Sequence, residues 1–185
     1  MSNRKEFVYK ICIVGKGGVG KTSMVQRYTD KSFKENYLMT VGSNFSEKHI
    51  KLPEFPDYKI ALLLWDLAGQ DRFSSIRPPF YLGARALIYV FDLTRRDTFI
   101  DLTNWKIEVD EIVGSIPRIL VGNKLDLAKQ GMREITNQEA EARKEQLNAC
   151  VYFETSAKDG SNINKVFNES ARLILNQSYP SIPNF

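Results

Sequence analysis

The residues Gly15-Lys16-Gly17-Gly18-Val19-Gly20-Lys21-Thr22 carry the pattern G-x-x-x-x-G-K-T, the first place in the chain where residue types and spacing amount to chemistry. Glycine at 15, 17, 18 and 20 lets the backbone curl, so that successive N–H groups, Val19 included, face a single anion. The apolar run before the loop (Phe7, Val8, Ile11, Cys12, Ile13, Val14) reads as a buried strand, and Ser23 to Tyr28 after it as a helix. Strand, glycine turn, helix places the positive end of a helix dipole at the anion. Lys21 adds a full charge for the β- and γ-phosphates, the Thr22 hydroxyl can ligate Mg²⁺, and Ser23 follows on the phosphate side. This stretch is expected to hold the phosphates of a nucleotide.

Two further clusters extend the site. Asp66-Leu67-Ala68-Gly69-Gln70 follows an apolar run, Ala61 to Trp65. A carboxylate at a strand end can hold Mg²⁺ through water, Gly69 frees an N–H for a γ-phosphate, and Gln70 can orient an attacking water. The alternative is a helix cap at Asp66 and a plain turn at Ala68-Gly69. Asn123-Lys124-Leu125-Asp126 and Ser156-Ala157-Lys158 follow two later runs. The Asp126 carboxylate can accept from both N1–H and the exocyclic amine of guanine, a donor pair adenine lacks. A site built on such a pair discriminates by on the order of 10⁴ to 10⁵. Asn123 can tie the base-binding loops together, the Lys124 stem can lie over the base, and the Ala157 N–H can donate to guanine O6.

The elements that must position these groups alternate. Apolar runs at Ala86–Phe91, Arg118–Gly122 and Cys150–Phe153 are separated by helical spacings: Phe99, Leu102, Trp105, Val109, Ile112, then Glu139 to Leu147, then Ile163, Val166, Phe167, Ala171, Ile174. Near-continuous apolar strands between amphipathic helices imply a mostly parallel sheet covered on both faces, with ligands at the carboxyl ends of its strands. Asn44 to Leu52 alternates and leads into the turn-rich Pro53–Asp57, so it is expected as an antiparallel edge strand, with the link a surface insertion. The 185 residues, 43% hydrophobic, fit one domain with a full core. Net charge is +4 and dispersed, which gives no case for nucleic acid. No run is long and apolar enough for a membrane span, and no signal peptide is indicated. Cys12 and Cys150 both lie in apolar stretches and are expected as buried thiols, and His49 as a solvent or sheet-edge residue.

The four motifs, in this order and spacing, resemble the small GTPases of the Ras superfamily over about residues 6 to 178. Tyr81-x-Gly83-Ala84 and Asp92-Leu93-Thr94 are most similar to the Rab and Ras branches. The resemblance implies an α/β P-loop NTPase fold: a six-stranded, mostly parallel sheet with one antiparallel edge strand and helices on both faces, as one domain over residues 1–185. It implies a switch that binds GTP or GDP with Mg²⁺ and slowly hydrolyses GTP. Thr40 would be the switch threonine, Phe33 would pack edge-on against the base, and Tyr37 would cover the phosphates. Catalysis would rest on Gln70, Lys21 and Gly69, and the metal on Thr22, Thr40 and Asp66. Implied partners are an exchange factor, a GTPase-activating protein and effectors at segments 33–42 and 66–80, acting on a cytoplasmic monomer.

No arginine lies between Phe33 and Thr40, so hydrolysis by the isolated protein is expected to be slow, and Gln70→Leu to slow it further while sparing binding. Any side chain at Gly17 is expected to hinder turnover. Pro78-Pro79 departs from the family pattern, and a helix starting near Asp71 is expected to stop or kink by Arg77. Leu67 stands where Thr is frequent, with no consequence expected. The sequence ends Ser181–Phe185 without cysteine and begins Met-Ser, which excludes N-myristoylation; either a lipidated tail is absent from this sequence or the protein is not lipid-anchored, so membrane recruitment stays open. Two rival readings are a guanine-nucleotide module whose turnover is irrelevant and an ATP-dependent enzyme; Gln70 and Thr40 weigh against the first, Asp126 against the second.

Overall fold

The computed structural model describes residues 5–30 and 40–179. In chain order the elements are β1 (Lys5–Val14), α1 (Lys21–Asp30), β2 (Ser43–Ile50), β3 (Tyr58–Leu67), α2 (Pro78–Tyr81), β4 (Ala86–Asp92), α3 (Arg96–Ile100) and α4 (Leu102–Asp110). Then come β5 (Arg118–Asn123), α5 (Leu125–Leu127), α6 (Asn137–Gln146), β6 (Val151–Glu154) and α7 (Ile163–Ser178). The sheet is six-stranded in the order β2-β3-β1-β4-β5-β6. Only the β2–β3 pair is antiparallel among the strands described, with β1 parallel to both β3 and β4. The expected α/β architecture is the observed one.

Strand alternation sorts side chains to two cores. Tyr9, Ile11 and Ile13 of β1 pack with Met24, Val25 and Tyr28 of α1 and with Val166, Phe167 and Ile174 of α7. Cys12 and Val14 point the other way, among Tyr81, Phe99, Leu102, Trp105 and Leu147. Leu67, in place of a common Thr, is fully buried in this second core. β4 and β5 are buried along their whole length, as strands with helices on both faces must be. α6 begins with a reciprocal capping box, Thr136 with Glu139.

Five local expectations can be compared with the structure. The Phe99–Ile112 pattern forms two helices, because the hydrogen-bond ladder restarts at Asp101, whose carbonyl accepts from both Asn104 and Trp105. A break falls at Arg77 as anticipated: Asp71–Ile76 is a 3₁₀ helix, and a single turn restarts at Pro78 with Phe80 N–H donating to the Arg77 carbonyl. Cys150 is exposed rather than buried, because it precedes β6, the edge strand, whose four residues are only half-covered. The 53–57 link is more than a surface insertion. Leu52 is fully buried, Phe55 lies in the first core, and Glu54 pairs with Arg172 of α7 at 2.7 Å. His49 lies on the edge strand beside Glu47, exposed as expected.

Candidate functional site

All parallel strands end on one edge of the sheet, and the antiparallel β2 starts there, with Ser43 opposite Leu67. The segments expected to carry chemistry, 15–22, 40, 66–70, 123–126 and 156–158, therefore meet on that edge. Phe33 and Tyr37 lie outside the described residues.

Two glycines of the loop 15–20 are held from outside by contacts that leave no room for a side chain: at Gly15 a Cβ would fall 2.1 Å from the Val90 carbonyl oxygen. At Gly20, φ is +99°, and a Cβ would fall 2.3 Å from Asn123 Nδ2. Lys21 opens α1 almost buried, its ammonium donating to the carbonyls of Gly15 at 2.6 Å and Lys16 at 3.2 Å. Burial depresses the Lys21 pKa to about 8, with the nearby Asp66 carboxylate opposing the shift. A cation folded back on its own loop, with little solvent around it, suits an anionic ligand that would draw it inward.

Thr22, Thr40 and Asp66 come together although they lie far apart in sequence. The Thr22 hydroxyl donates to Asp66 Oδ2 and sits 2.9 Å from the Thr40 hydroxyl. The second Asp66 oxygen, Oδ1, is buried with no hydrogen-bond partner among the described residues. Burial raises the Asp66 pKa, partly offset by Lys21 and the threonine hydroxyls. An orphaned carboxylate oxygen beside two hydroxyls is an oxygen donor set of the kind that hard cations such as Mg²⁺ take.

Gly69 lies directly on the phosphate loop: its carbonyl accepts from Gly17 N–H at 3.0 Å, and a Cβ at 69 would meet Gly15 O, Gly17 N and Lys16 C at 2.4 to 2.5 Å. Only glycine allows this approach. The Gln70 side chain borders Gly17, whose added Cβ would touch Gln70 Cγ at 3.6 Å. No helix is capped by Asp66; the 3₁₀ segment starts after Gln70.

On the opposite side, Asn123 bridges three segments. Its Nδ2 donates to the Val19 carbonyl at 2.8 Å, and its Oδ1 accepts from Thr155 Oγ at 3.0 Å and Ala157 N–H at 3.2 Å. The Ala157 N–H is thus turned onto Asn123 here rather than set out for guanine O6. Asp126 accepts from Ser156 Oγ at 2.7 Å, which fixes its carboxylate. Lys124 takes a left-handed backbone (φ +65°) and its ammonium pairs at 2.6 Å with the fully buried Asp92. Lys158 contributes a carbonyl that accepts from Arg27 of α1.

Three arginines touch the site without having been singled out from the sequence. Arg27 donates to the Ala157 carbonyl at 2.8 Å. Arg95, just before α3, reaches the Gly17 carbonyl at 3.4 Å and shares Asp97 with Lys16, both cations at 3.1 Å. These pairs, Lys16 first, hold the Asp97 carboxyl below its ordinary value. Arg77 is buried and donates to the carbonyls of Ala68 at 3.3 Å and Gln70 at 3.0 Å. A search for arginine limited to residues 33–40 could not find Arg95. The signal for Arg77 was the proline after it, which fixes where its helical turn ends.

Beside these segments an apolar surface is open. Phe45 is 52% exposed and meets Trp65 edge-on at 5.5 Å, and Trp65 meets Phe80 at 5.7 Å. Val41, Ile76 and Leu82 are also exposed.

Comparison with known sequences gives concordant results. A sequence model described as the Ras family matches residues 10–176. Ras-related protein Rab-12 of Homo sapiens is 40% identical over 163 residues, which cover 88% of this chain and 65% of that protein; the chain thus spans just under two thirds of the relative's length. GTP-binding protein YPTC5 of Chlamydomonas reinhardtii is 37% identical over 172 residues, 90% of this chain and 82% of the relative. GTP-binding protein yptV5 of Volvox carteri is 38% identical over the same length of 172 residues.

Proposed function

The chain belongs to the Ras family as a Rab-like small GTPase, and from that premise we propose that it is a single-domain molecular switch, binding GTP or GDP with Mg²⁺ and hydrolysing GTP slowly. The observation that carries the reading is Asn123, which welds the phosphate loop at Val19 to the segment 155–157 beside Asp126. A phosphate cradle and a carboxylate suited to guanine are thereby held at a fixed spacing.

The N–H groups of residues 15–20 and Lys21 take the phosphates, and Ser23 lies in the first turn behind them. Thr22, Thr40 and Asp66 would hold Mg²⁺, which when bound neutralises charge on the phosphate oxygens. Gln70 orients water, Gly69 presents its N–H to the γ-phosphate, and Asp126, set by Ser156, reads the base. Ala157 must exchange its bond to Asn123 for one to guanine O6 when the base enters. Phe33 and Tyr37, which lie outside the described residues, are proposed to contact the base and the phosphates respectively. Nothing in this set moves a proton quickly or supplies a second full charge at the leaving oxygen, and for Ras-type enzymes an added arginine is worth about 10³ to 10⁵ in rate. Slow turnover makes the γ-phosphate a timer. Its loss releases Thr40 and Gly69, changing segments 33–42 and 66–80 and the neighbouring Phe45–Trp65–Phe80 surface. Exchange factors, activating proteins and effectors are the partners that such a cycle requires. Trafficking on membranes from the cytoplasm is the role that Rab-like membership favours.

Calorimetry on nucleotide-free protein tests the reading. GTP is expected to bind at least 10³-fold more tightly than ATP, and Asp126→Asn to abolish that preference, since the amide replaces one acceptor oxygen by an NH₂ donor set against a donor of guanine. Equal binding of GTP and ATP by the wild type would end the proposal.

A further inference from the structure

Arg77 is buried, and each of the three nitrogens of its guanidinium donates a hydrogen bond. Nε and Nη2 bond to the two carboxylate oxygens of Glu108 on α4 at 2.8 and 2.5 Å. Nη1 donates to the carbonyls of Ala68 and Gln70, the residues either side of Gly69. The guanidinium plane lies 4.2 Å over the Trp105 ring, and Tyr81 O–H donates to Glu108 at 2.6 Å. Among these hydrogen bonds, those that reach the segment 66–70 come from Arg77, while Tyr81 and Glu108 bond to each other and Glu108 to Arg77. Arg77 is the bridge. The geometry needs a planar fork; a lysine ammonium is a point donor and cannot serve a carboxylate and two diverging carbonyls together.

We propose that Arg77 is a positioning residue for GTP hydrolysis: by gripping the carbonyls of Ala68 and Gln70 it fixes the Gly69–Gln70 peptide against the phosphate loop, and through Glu108 it makes that placement depend on α4. The inference rests on the reading of Gln70 as the residue that orients water. Pro78 serves the same end, since its fixed φ holds the turn that carries Arg77. The face of α4 bearing Trp105 and Glu108 then becomes a second point from which the rate of hydrolysis can be set.

The test is single-turnover hydrolysis of GTP by the full chain with Mg²⁺, in wild type, Arg77→Lys, Gln70→Leu and the double variant, with GDP dissociation measured alongside. Arg77→Lys is expected to slow hydrolysis by about tenfold, and by no more than about 100-fold, with GDP dissociation within about threefold of wild type. In the Gln70→Leu background the same change is expected to add nothing, because Arg77 acts through Gln70. An equal loss in both backgrounds, a loss matched by faster GDP release, or no loss would overturn the inference. Should Gln70→Leu itself leave hydrolysis unchanged, the reading of Gln70 fails and the inference with it; if wild type fails to bind GTP, the broader proposal fails instead. Glu108→Gln is the second variant if Arg77→Lys does not fold, with the same direction and a smaller loss expected. A spectroscopic check uses Trp65→Phe, which leaves Trp105 as the only indole: its emission should shift on Arg77→Lys, and an unchanged spectrum in a variant with slowed hydrolysis would also overturn the proposal.

Discussion

The two sides of the nucleotide groove are built on different principles. On the base side, Asn123, Thr155, Ser156, Asp126 and Val19 are joined by side-chain hydrogen bonds, with Asn123, Thr155 and Ser156 almost wholly buried. On the switch side, Thr40, Gly69 and Gln70 are held by hydroxyl contacts, a few backbone bonds such as Gly17 to Gly69 and Ala68 to Gly42, and the grip of Arg77. Recognition is therefore organised on buried side-chain hydrogen bonds, and timing, on the proposed reading, on backbone and hydroxyl contacts. Affinity and turnover should separate by side.

The severest test of this contrast is Asn123→Ala. It strands the Val19 carbonyl, the Thr155 hydroxyl and the Ala157 N–H in the interior, at about 1 to 3 kcal/mol each. Guanine-nucleotide affinity is expected to fall by about 100-fold or more, with a lower Tm, measured by displacement of a fluorescent guanine nucleotide and by thermal melts. Retained affinity would mean that the base side is not the rigid one.

Next in size is Gly69→Ala. The added methyl meets phosphate-loop backbone at 2.4 to 2.5 Å and must push the segment away. Hydrolysis is expected to fall about 10- to 100-fold while GDP affinity changes less than about threefold. Gly17→Ala meets Gln70 Cγ at 3.6 Å and Gly69 O and C at 3.9 to 4.0 Å, all ordinary contact distances, and should slow hydrolysis a few-fold with binding unchanged. Parallel loss of binding and hydrolysis in either variant would erase the distinction.

The smallest effect sharpens the comparison from outside both sides. Glu139 caps α6, and its hydrogen bond with Arg96, followed by those from Thr136, holds its pKa at about 2 against an ordinary 4.5. A carboxyl with a lowered folded pKa stabilises the fold above its unfolded value and loses that contribution as pH falls from 4.5 toward about 2. Glu139→Gln should lower Tm slightly at neutral pH, the gap closing across that acid window, with GTP hydrolysis unchanged. A difference in Tm that is constant with pH would refute the assignment.

Much of this was legible in the sequence because some positions admit few residue types. Gly20 and Lys21 are set by backbone curvature and charge, and the role of Asn123 as a tie between loops followed from its place after a strand. The strands and the antiparallel edge followed from apolar runs and alternation. What the sequence concealed depends on distant packing. The partner of a long side chain such as Arg27, Arg77 or Arg95 is chosen by whichever element lies opposite, and nothing near it in the chain names that element. The exposure of Cys150 depends on β6 being outermost, a property of strand order. The inward turn of Leu52 and Phe55 was masked by the prolines around them, and the departure of Ala157 N–H from its expected acceptor is a matter of loop orientation.

The anchoring of the 53–57 link to α7 has a mechanical consequence. With Leu52 and Phe55 seated in the interior and Glu54 latched to Arg172, the ribbon formed by β2 and β3 cannot slip lengthwise past β1 without uprooting two apolar side chains. A message carried by this ribbon between nucleotide and partners then travels by rearrangement at its open end, near residue 43, while its closed end stays bolted to the body of the molecule.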